Sequence, residues 1–197
     1  MEEKRCDWCL STPLYREYHD REWGRPLIDD RQLFEFLVLE GAQAGLSWIT
    51  VLNKRENYRT AFDGFDPEKI ARYDEQKIEV LLQDPGIIRN RRKVEGAVKN
   101  ARAYLALRER GESLAGFLWR FTDGRVLVNE FRSLAEVPAT TPESDAMSQA
   151  LKRAGFAFVG STIMYAHMQA TGMVNDHLLG CPARDPCLEQ ARQMGLL

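Results

Sequence analysis

The chain has 197 residues, a hydrophobic fraction of 44% and a formal net charge of -2 at pH 7. That length is sufficient for one domain, or for two closely packed lobes, with a substantial apolar core. The slight negative charge excludes a uniformly basic nucleic-acid-binding protein, so contact with DNA or RNA requires a local basic patch.

The N-terminus and the hydropathy pattern indicate a cytoplasmic protein that makes no contact with a membrane. The first residues, MEEKRCDW, are charged and contain no apolar segment typical of a signal peptide. No run approaches the roughly 20 apolar residues that a membrane helix needs. Four cysteines without a secretion signal also argue against a disulfide framework.

Helix-start signals recur along the chain and predict an all-α fold. Asp29 or Asp30 is placed to cap an amphipathic helix, and Ser47 to cap another over SWITVLNKRENYRTAF. Asp66–Pro67 and Thr141–Pro142 each combine a cap with proline at the first helical position. Another predicted helix begins at Asp74, and a long one runs from about Asn90 to Arg108. The last predicted helix of the chain runs from about Ser161 to Ala170. The one strand-like segment, GRVLVNEF, is expected to form a hairpin or an irregular loop.

Cysteines and histidines near both ends of the chain have the spacing of metal ligands. Cys6 and Cys9 form a C-x2-C pair, and His177 and Cys181 form an H-x3-C pair. Two thiolates and two imidazoles suit tetrahedral zinc and leave no position for a reactive water, so such a site would be structural. Inert buried thiols and redox chemistry are the alternatives. Spacing alone leaves the choice among these cysteines and Cys187 open.

The middle of the chain has the pattern of a helix, a tight Pro85–Gly86 turn and a second helix. A helix that starts just after such a turn presents free backbone N–H groups and a positive dipole end, which together attract an anion. Between residues 89 and 102, six cations stand against the single anion Glu95. This excess favours nucleic-acid phosphate, with a solvated basic face as the alternative. The cations are Arg89, Arg91, Arg92, Lys93, Lys99 and Arg102.

Aromatic residues are dense in the N-terminal part, around Glu40 in LEGAQAGLSW. Such residues commonly form core, but beside a glutamate they can instead line a pocket for a flipped base. Aromatic faces stack on the base or attract a cationic, alkylated purine, and a carboxylate accepts hydrogen bonds from an exocyclic amine. His167, among apolar neighbours in a predicted helix, is interpreted as a satisfied structural histidine. The aromatic residues are Trp8, Tyr15, Tyr18, Trp23 and Trp48.

Long segments of the chain resemble the constitutive 3-methyladenine DNA glycosylase I family of the helix-hairpin-helix superfamily. They are RCDW, PLYREYHDREWG, LEGAQAGLSWITVLNKRENYR, DPGIIRNRRKVEGAVKNARAY and SDAMSQALKRAGFAFVGSTIMYAHMQATGMVNDHLLGC. The resemblance implies a base excision repair enzyme, and a monomer suits a protein that must track along DNA. It would flip 3-methyladenine out of alkylated double-stranded DNA, hydrolyse the N-glycosidic bond and release the free base. It also implies a single glycosylase unit over residues 1–197, with a helix-hairpin-helix at about 76–102 and zinc-joined terminal segments at about 1–25 and 160–185.

The same resemblance assigns roles to residues at matching positions. Glu40 is expected to recognise the adenine edge and to be the catalytic residue. Base binding is assigned to Trp8, Tyr15, Tyr18, Glu40 and Trp48, with Tyr18 and Trp48 stacking on the base. DNA binding is assigned to Leu46, Gly86 and Ile88, with Leu46 entering the space that the flipped nucleotide leaves. The basic pattern around the turn adds Arg89 and Arg92 as DNA-binding candidates. One structural Zn2+ is assigned to Cys6, His19, His177 and Cys181.

Two departures from the wider superfamily indicate a glycosylase without lyase activity. Bifunctional members carry a lysine nucleophile shortly after the hairpin glycine, where this chain has Asn90. The aspartate that most relatives carry about twenty residues after the hairpin is also missing from NARAYLALRER. The alternatives are a glycosylase of broader alkylpurine scope, a zinc-stapled DNA-binding module without catalysis and, more remotely, a redox protein that uses Cys6 and Cys9.

Overall fold

Helices make up most of the regular structure in this computed structural model, which describes residues 5–197. In chain order the α-helices are α1 (Pro13–Arg21), α2 (Asp30–Gln43), α3 (Trp48–Leu52), α4 (Arg55–Ala61), α5 (Pro67–Ile70), α6 (Glu75–Gln83), α7 (Arg91–Glu109), α8 (Leu114–Trp119), α9 (Pro142–Arg153), α10 (Ser161–Ala170) and α11 (Arg184–Gln193). Short 3-10 helices span Asp7–Ser11, Asp63–Phe65, Arg120–Thr122 and Leu134–Glu136, and two-residue strands span β1 (Leu127–Val128) and β2 (Val174–Asn175). The all-α prediction is confirmed.

Helix α2 is the centre of the core, because α3, α7, α8 and α10 all pack against it. Its apolar residues Leu33, Phe34 and Leu37 are at most 1% exposed. Burial of side chains of this size contributes roughly 1.5–3 kcal/mol each, which is enough to fix the helix in place. The core helix therefore provides a rigid base for Glu40, which lies near its C-terminal end.

The predicted helix caps Asp29, Asp74 and Thr141 form the expected hydrogen bonds. Asp29 accepts from the backbone N–H of Gln32, and Asp74 caps α6 in the same way. Thr141 and Ser144 form a reciprocal capping box at the start of α9. The predicted helix bounds are close to those of α7, and α10 spans the predicted range. These signals succeed because a cap bond depends only on residues three positions apart.

The single helix predicted over SWITVLNKRENYRTAF is wrong. The segment forms two helices, α3 and α4, which are separated at Asn53 and Lys54. Ser47 bonds the hydroxyl of Thr50 instead of a backbone N–H. Three consecutive β-branched residues at positions 49–51 lower the helix propensity of α3, which is consistent with its short length.

The strand expectation and the position of the last helix also need correction. Leu127 and Val128 pair in parallel with Val174 and Asn175, so the GRVLVNEF segment forms no hairpin with its neighbours in the sequence. A further helix, α11, follows α10. It carries Pro186 in its first turn, where the missing N–H has no intrahelical partner to lose.

The N-terminal and C-terminal segments lie against each other over much of their length. The backbone N–H of Gly24 donates to Ala170 O at 3.3 Å, and that of Leu27 donates to Thr171 O at 3.0 Å. The first four residues of the predicted terminal segment 1–25 lie outside the described residues. Among the described helices, none has the length and apolar character needed to cross a membrane.

Candidate functional site

All five residues expected to form the base pocket line one cavity of about 320 Å³. This volume lies within the range typical of small-molecule sites. Helix α1 contributes Tyr15 and Tyr18, the C-terminal part of α2 contributes Glu40, and the start of α3 contributes Trp48. Trp8 comes from the first 3-10 helix. Helix α10 contributes Ala166, Gln169 and Ala170.

Glu40 is a buried carboxylate, with 2% of its side chain exposed. Its Oε2 lies 3.0 Å from Nδ1 of His167 on α10, which is fully buried. Burial raises the pKa of Glu40, and its interaction with His167 opposes that rise. The interpretation of His167 as a satisfied structural histidine is therefore incomplete. Its Nδ1 contacts the candidate catalytic residue, and its buried Nε2 has no hydrogen-bond partner in the described chain.

The aromatic residues form two groups on the cavity wall. Tyr18 and Trp48 contact each other with ring centroids 5.6 Å apart, and both are at most 9% exposed. Trp8 contacts Tyr15 at 4.8 Å and Trp23 at 5.0 Å. Burial raises the pKa of Tyr18 well above its ordinary value, so its hydroxyl remains neutral. The cavity thus combines broad aromatic faces with two carboxyl groups, those of Glu40 and Asp176.

Cys6, His19, His177 and Cys181 form a fully buried cluster whose candidate ligand atoms all lie within 4.8 Å of one another. The Sγ of Cys181 lies 3.5 Å from His19 Nε2 and 3.5 Å from His177 Nδ1, and Cys6 Sγ lies 4.0 Å from the same Nδ1. Tetrahedral zinc with ordinary bond lengths separates sulfur and nitrogen ligands by about 3.6 Å. The cluster therefore has the composition and the spacing of a four-ligand metal site.

Both imidazoles in this cluster are oriented by a second hydrogen bond. Nδ1 of His19 donates to the carboxylate of Asp20 at 2.8 Å, and Nε2 of His177 donates to Trp23 O at 3.1 Å. These bonds fix the tautomers so that the inner nitrogens carry lone pairs toward the cluster, as metal-bound histidines require. A hydrogen bond from Cys6 lowers the pKa of Cys181, which favours the thiolate form that binds metals.

The two remaining cysteines lie outside the cluster, which answers the question that spacing leaves open. Cys9 donates its thiol hydrogen to Cys6 O at 3.1 Å, and burial raises its pKa to about 11. Burial also raises the pKa of Cys187 to about 11. Both thiols are therefore protonated near neutral pH, and neither belongs to the group of mutually close ligand atoms.

The Cys/His cluster and the cavity share aromatic neighbours. Trp8 contacts the His19 ring at 5.2 Å, and Trp23 contacts the His177 ring at 4.7 Å. Both tryptophans also line the cavity. Gly24, with a φ of +79°, lets the backbone pass so close to His177 that an added Cβ would lie 2.9 Å from Nε2. The packing thus connects the cluster directly to one wall of the cavity.

Comparison with known proteins identifies the family. The sequence profile of the methyladenine glycosylase family matches residues 8–185. The chain is 53% identical over 178 residues to DNA-3-methyladenine glycosylase 1 of Escherichia coli (strain K12), covering 90% of this chain and 95% of that protein. The chain belongs to the methyladenine glycosylase family.

Solved structures of 3-methyladenine DNA glycosylase I have the same fold. One crystal structure is 55% identical to this chain, with a TM-score of 0.90, and the match covers 91% of this chain and 98% of that one. Another, a variant solved in complex with 3-methyladenine, is 35% identical with a TM-score of 0.88, covering 93% and 98%. In the family context, the cavity around Glu40 is the candidate base-binding site.

The segment predicted as a helix-hairpin-helix forms helix α6, a turn and helix α7. Asp84 accepts a hydrogen bond from Gly86 N at 2.7 Å, and Tyr58 accepts one from Ile88 N at 3.0 Å. The two amides expected to hold a phosphate therefore already have partners within the chain. The N–H groups of Arg91 and Arg92, in the first turn of α7, lack intrahelical acceptors and remain for an anion.

The cation count in this region overstates the charge available to DNA. Arg91 forms ion pairs with Glu75, Glu79 and Glu95, and Lys93 Nζ donates to Ala42 O and Ala44 O at 2.7 Å each, at the C-terminal end of α2. Counting charges along α7 misses these contacts because their partners lie in other helices or on an adjacent turn. Arg102 also donates to a backbone carbonyl, and the exposed cations without such a contact in the described chain are Arg89, Arg92 and Lys99.

Leu46 lies in the turn between α2 and α3 and is 43% exposed. The preceding Gly45 adopts a φ of +77°, a conformation that glycine tolerates. Gln43 and Trp48, on either side of this turn, both line the cavity. Leu46 therefore lies between two cavity-lining residues in the sequence, with its side chain partly exposed to solvent.

Sequence reasoning missed several polar residues of the cavity wall. Asp176 is 2% exposed and accepts hydrogen bonds from Tyr165 at 2.5 Å, Gln169 at 2.8 Å and Asn129 at 2.7 Å. Gln43 and Gln169 also line the cavity. Asp176 immediately precedes His177, so its position next to a candidate metal ligand was the one signal in the sequence that marked it.

Proposed function

We propose that this protein is a monofunctional DNA glycosylase that excises 3-methyladenine from alkylated double-stranded DNA. The observation that carries the proposal is the buried carboxylate of Glu40 inside an aromatic cavity, in a chain that belongs to the methyladenine glycosylase family. The names of the similar proteins and the complex of one of them with 3-methyladenine support the choice of base. The pocket and the metal cluster are complete within one chain, which supports action as a monomer.

The chemistry of an alkylated purine explains why this pocket requires little acid catalysis. In DNA, 3-methyladenine carries a positive charge, and it becomes neutral when the bond between its N9 and C1′ of the sugar breaks. Water then adds its oxygen to C1′ and releases a proton. The leaving group therefore needs no proton from the enzyme, and the pocket acts by binding the flipped base more strongly as the bond breaks.

Each group in the pocket has a role in this scheme. Glu40 accepts a hydrogen bond from the exocyclic amine, and its charge stabilises positive charge that develops on the sugar. Tyr18 and Trp48 stack on the base, and Trp8 and Tyr15 complete the aromatic wall that attracts a cation. Leu46 enters the space left in the duplex by the flipped nucleotide.

The absence of a lysine nucleophile supports hydrolysis rather than lyase chemistry. Asn90 occupies that position, and its side chain accepts a hydrogen bond from Lys93 N at 3.2 Å as the N-cap of α7. An amide in this role supplies no amine for a Schiff base with the sugar.

We also propose that Cys6, His19, His177 and Cys181 hold one structural zinc ion. The donor set, the interatomic distances and the outer hydrogen bonds of both imidazoles fit such an ion. Four protein ligands would complete a tetrahedral shell, so the ion would contribute folding free energy rather than a reactive water.

DNA contact is assigned to the α6–α7 turn, which we propose acts as a helix-hairpin-helix element. Arg89 and Arg92 would pair with phosphates, and the first-turn N–H groups of α7 would bind the same strand. Gly86 and Ile88 shape the turn, and their own N–H groups are already bonded within the chain. Such contacts position the enzyme without reading sequence.

The decisive experiment is incubation with methylated duplex DNA, followed by chromatographic identification of the released bases. Release of 3-methyladenine alone is expected, with no protein–DNA adduct after borohydride reduction. Release of 3-methylguanine or 7-methylpurines as well would indicate broader scope. Retardation of DNA in a gel without base release would instead support a DNA-binding module, and would contradict the proposal.

A further inference from the structure

The contact between Glu40 and His167 joins two core helices at the floor of the cavity. Glu40 lies on α2 and His167 on α10, 127 positions later, and the two side chains are 2% and 0% exposed. Their 3.0 Å contact uses Oε2 of the carboxylate. Within the described chain, no donor contacts the other oxygen, Oε1, although Glu40 lines the cavity. One oxygen is thus held by the protein and the other is left for a ligand.

We propose that His167 is a positioning residue for base recognition: its Nδ1–H donates to Oε2 of Glu40, keeps the carboxylate ionised and directs Oε1 at the flipped base. This inference rests on the proposed function of Glu40 in base binding. His167 does not contact the base in this scheme, and acts only through Glu40.

The environment of the other ring nitrogen identifies the form of His167. Nε2 is buried and has no hydrogen-bond partner in the described chain. A doubly protonated ring would leave an unpaired N–H there, whereas a neutral ring with its proton on Nδ1 leaves only a lone pair, which is less costly to bury. The pair therefore carries one net negative charge, from Glu40, into a pocket that receives a cationic base.

Few other groups can set the charge state of Glu40. Burial raises its pKa, and the hydrogen bond from His167 opposes that rise. Helices α3 and α8, which pack on α2, carry no titratable side chain. Lys93 of α7 is engaged with the carbonyls of residues 42 and 44. The remaining titratable groups that line the cavity are Tyr15, Tyr18 and Asp176. The elements packed against α2 also carry Tyr165, Asp63 and, on α7, Arg91, Arg92, Glu95, Lys99, Arg102, Tyr104, Arg108 and Glu109.

A matched pair of variants tests the hydrogen bond separately from packing. In His167→Asn the amide nitrogen replaces Nδ1, and in His167→Leu a side chain of similar size has no donor. We expect the leucine variant to bind free 3-methyladenine about 10-fold more weakly at neutral pH, and the asparagine variant to stay within about 3-fold of wild type. Tryptophan fluorescence measures binding, and thermal melting checks folding. If the leucine variant does not fold, His167→Gln, whose amide reaches the Nε2 position, serves as the variant with a misplaced donor.

The pH dependence gives a readout that a packing defect does not change. Without the hydrogen bond, burial raises the pKa of Glu40 further, so the carboxylate is lost at a higher pH. The acidic limb of the single-turnover excision profile should therefore move to higher pH in His167→Leu, and activity should recover as pH increases. In His167→Asn the limb should stay near that of wild type.

A double-mutant cycle with Glu40→Gln completes the test. His167→Leu should cost much less base binding in the Glu40→Gln background than in wild type, because its effect passes through the carboxylate. Equal losses in both backgrounds, or equal binding by the leucine and asparagine variants, would overturn the inference. Wild-type protein that neither binds nor releases 3-methyladenine would instead contradict the proposed function, and the inference with it.

Discussion

The pocket around Glu40 and the α6–α7 turn are built in different ways. The pocket is assembled from side chains of six helices and of the segments between them. Its Glu40 is buried and bonded to His167, 127 positions away. The turn is one continuous segment that offers exposed arginines and helix N–H groups. This difference predicts that a single substitution in the pocket strongly reduces base binding or excision. A single substitution in the turn should weaken DNA binding only slightly and in a salt-dependent way.

The largest effect should follow loss of a metal ligand. In Cys6→Ser we expect loss of bound zinc, a decrease in Tm of about 10 °C or more, and weakened binding of 3-methyladenine. Base binding should decline because Trp8 packs on both His19 and Tyr15 and would lose its anchor. Metal analysis, thermal melting and fluorescence binding measure the three effects.

Cys9→Ser is the matched control for the metal ligand. Cys9 is as deeply buried as Cys6 and lies three positions away, but it only donates to a backbone carbonyl. A serine can donate the same bond, so metal content and base binding should be retained. If Cys6→Ser lost its metal and kept full thermal stability, the cluster would have no role in holding the pocket wall.

A smaller but more selective effect is expected for Glu40→Gln. The excision rate should decrease by about 10–100-fold, because an electrostatic contribution of a few kcal/mol is lost while stacking and flipping remain. Single-turnover release of 3-methyladenine measures this decrease. A loss as complete as that caused by removal of a nucleophile would contradict a mechanism based mainly on binding.

The stability of the same variant should move in the opposite direction. Burial raises the pKa of Glu40 in the folded protein above its ordinary value of 4.5. The folded state therefore binds this proton more tightly than the unfolded state. The resulting stabilisation is present at low pH and is lost as the pH rises through the folded pKa. At neutral pH the ionised Glu40 thus costs stability, and Glu40→Gln should melt at the same temperature as wild type or higher.

The two regions also differ in how much of them the sequence predicts. Cap-proline pairs such as Thr141–Pro142 gave correct helix starts, because the signal and its effect lie within one turn. His167 was interpreted as merely structural, since its partner Glu40 is remote in sequence. Cys9 and Cys187 were equal candidates by spacing, and only the resemblance and then the fold separated them from the four clustered residues. Side-chain sites of this kind depend on tertiary packing, which a local pattern does not contain.

Charge counting along α7 overestimates the cations available to DNA, because some of them are bonded to other parts of the chain. In the sequence, Arg91, Arg92 and Lys93 count equally as positive charges. In the fold, Arg91 pairs with three glutamates and Lys93 binds the C-terminal end of α2. Periodicity predicts which residues lie on a helix, and not which of them another helix will neutralise. The exposed Arg89 and Arg92 can therefore be compared directly with the ion-paired Arg91.

The smallest effects should come from Arg89→Ala and Arg92→Ala. Each removes one exposed cation near the start of α7, so each should weaken DNA binding a few-fold and reduce the slope of log affinity against log salt by roughly 1. Binding of free 3-methyladenine should not change, because neither residue lines the cavity. Fluorescence anisotropy with duplex DNA at several salt concentrations measures the slope.

Arg91→Ala is the control that shows whether DNA binds through individual phosphate contacts or responds only to the summed positive charge of the region. Arg91 has a similar position on α7, but its guanidinium already pairs with Glu75, Glu79 and Glu95. If DNA binds through individual phosphate contacts, removing Arg91 should change the salt slope much less than removing Arg92. Equal slopes for the two variants would mean that DNA senses only the summed charge of the region. The α6–α7 turn would then lose its assignment as the element that positions the backbone.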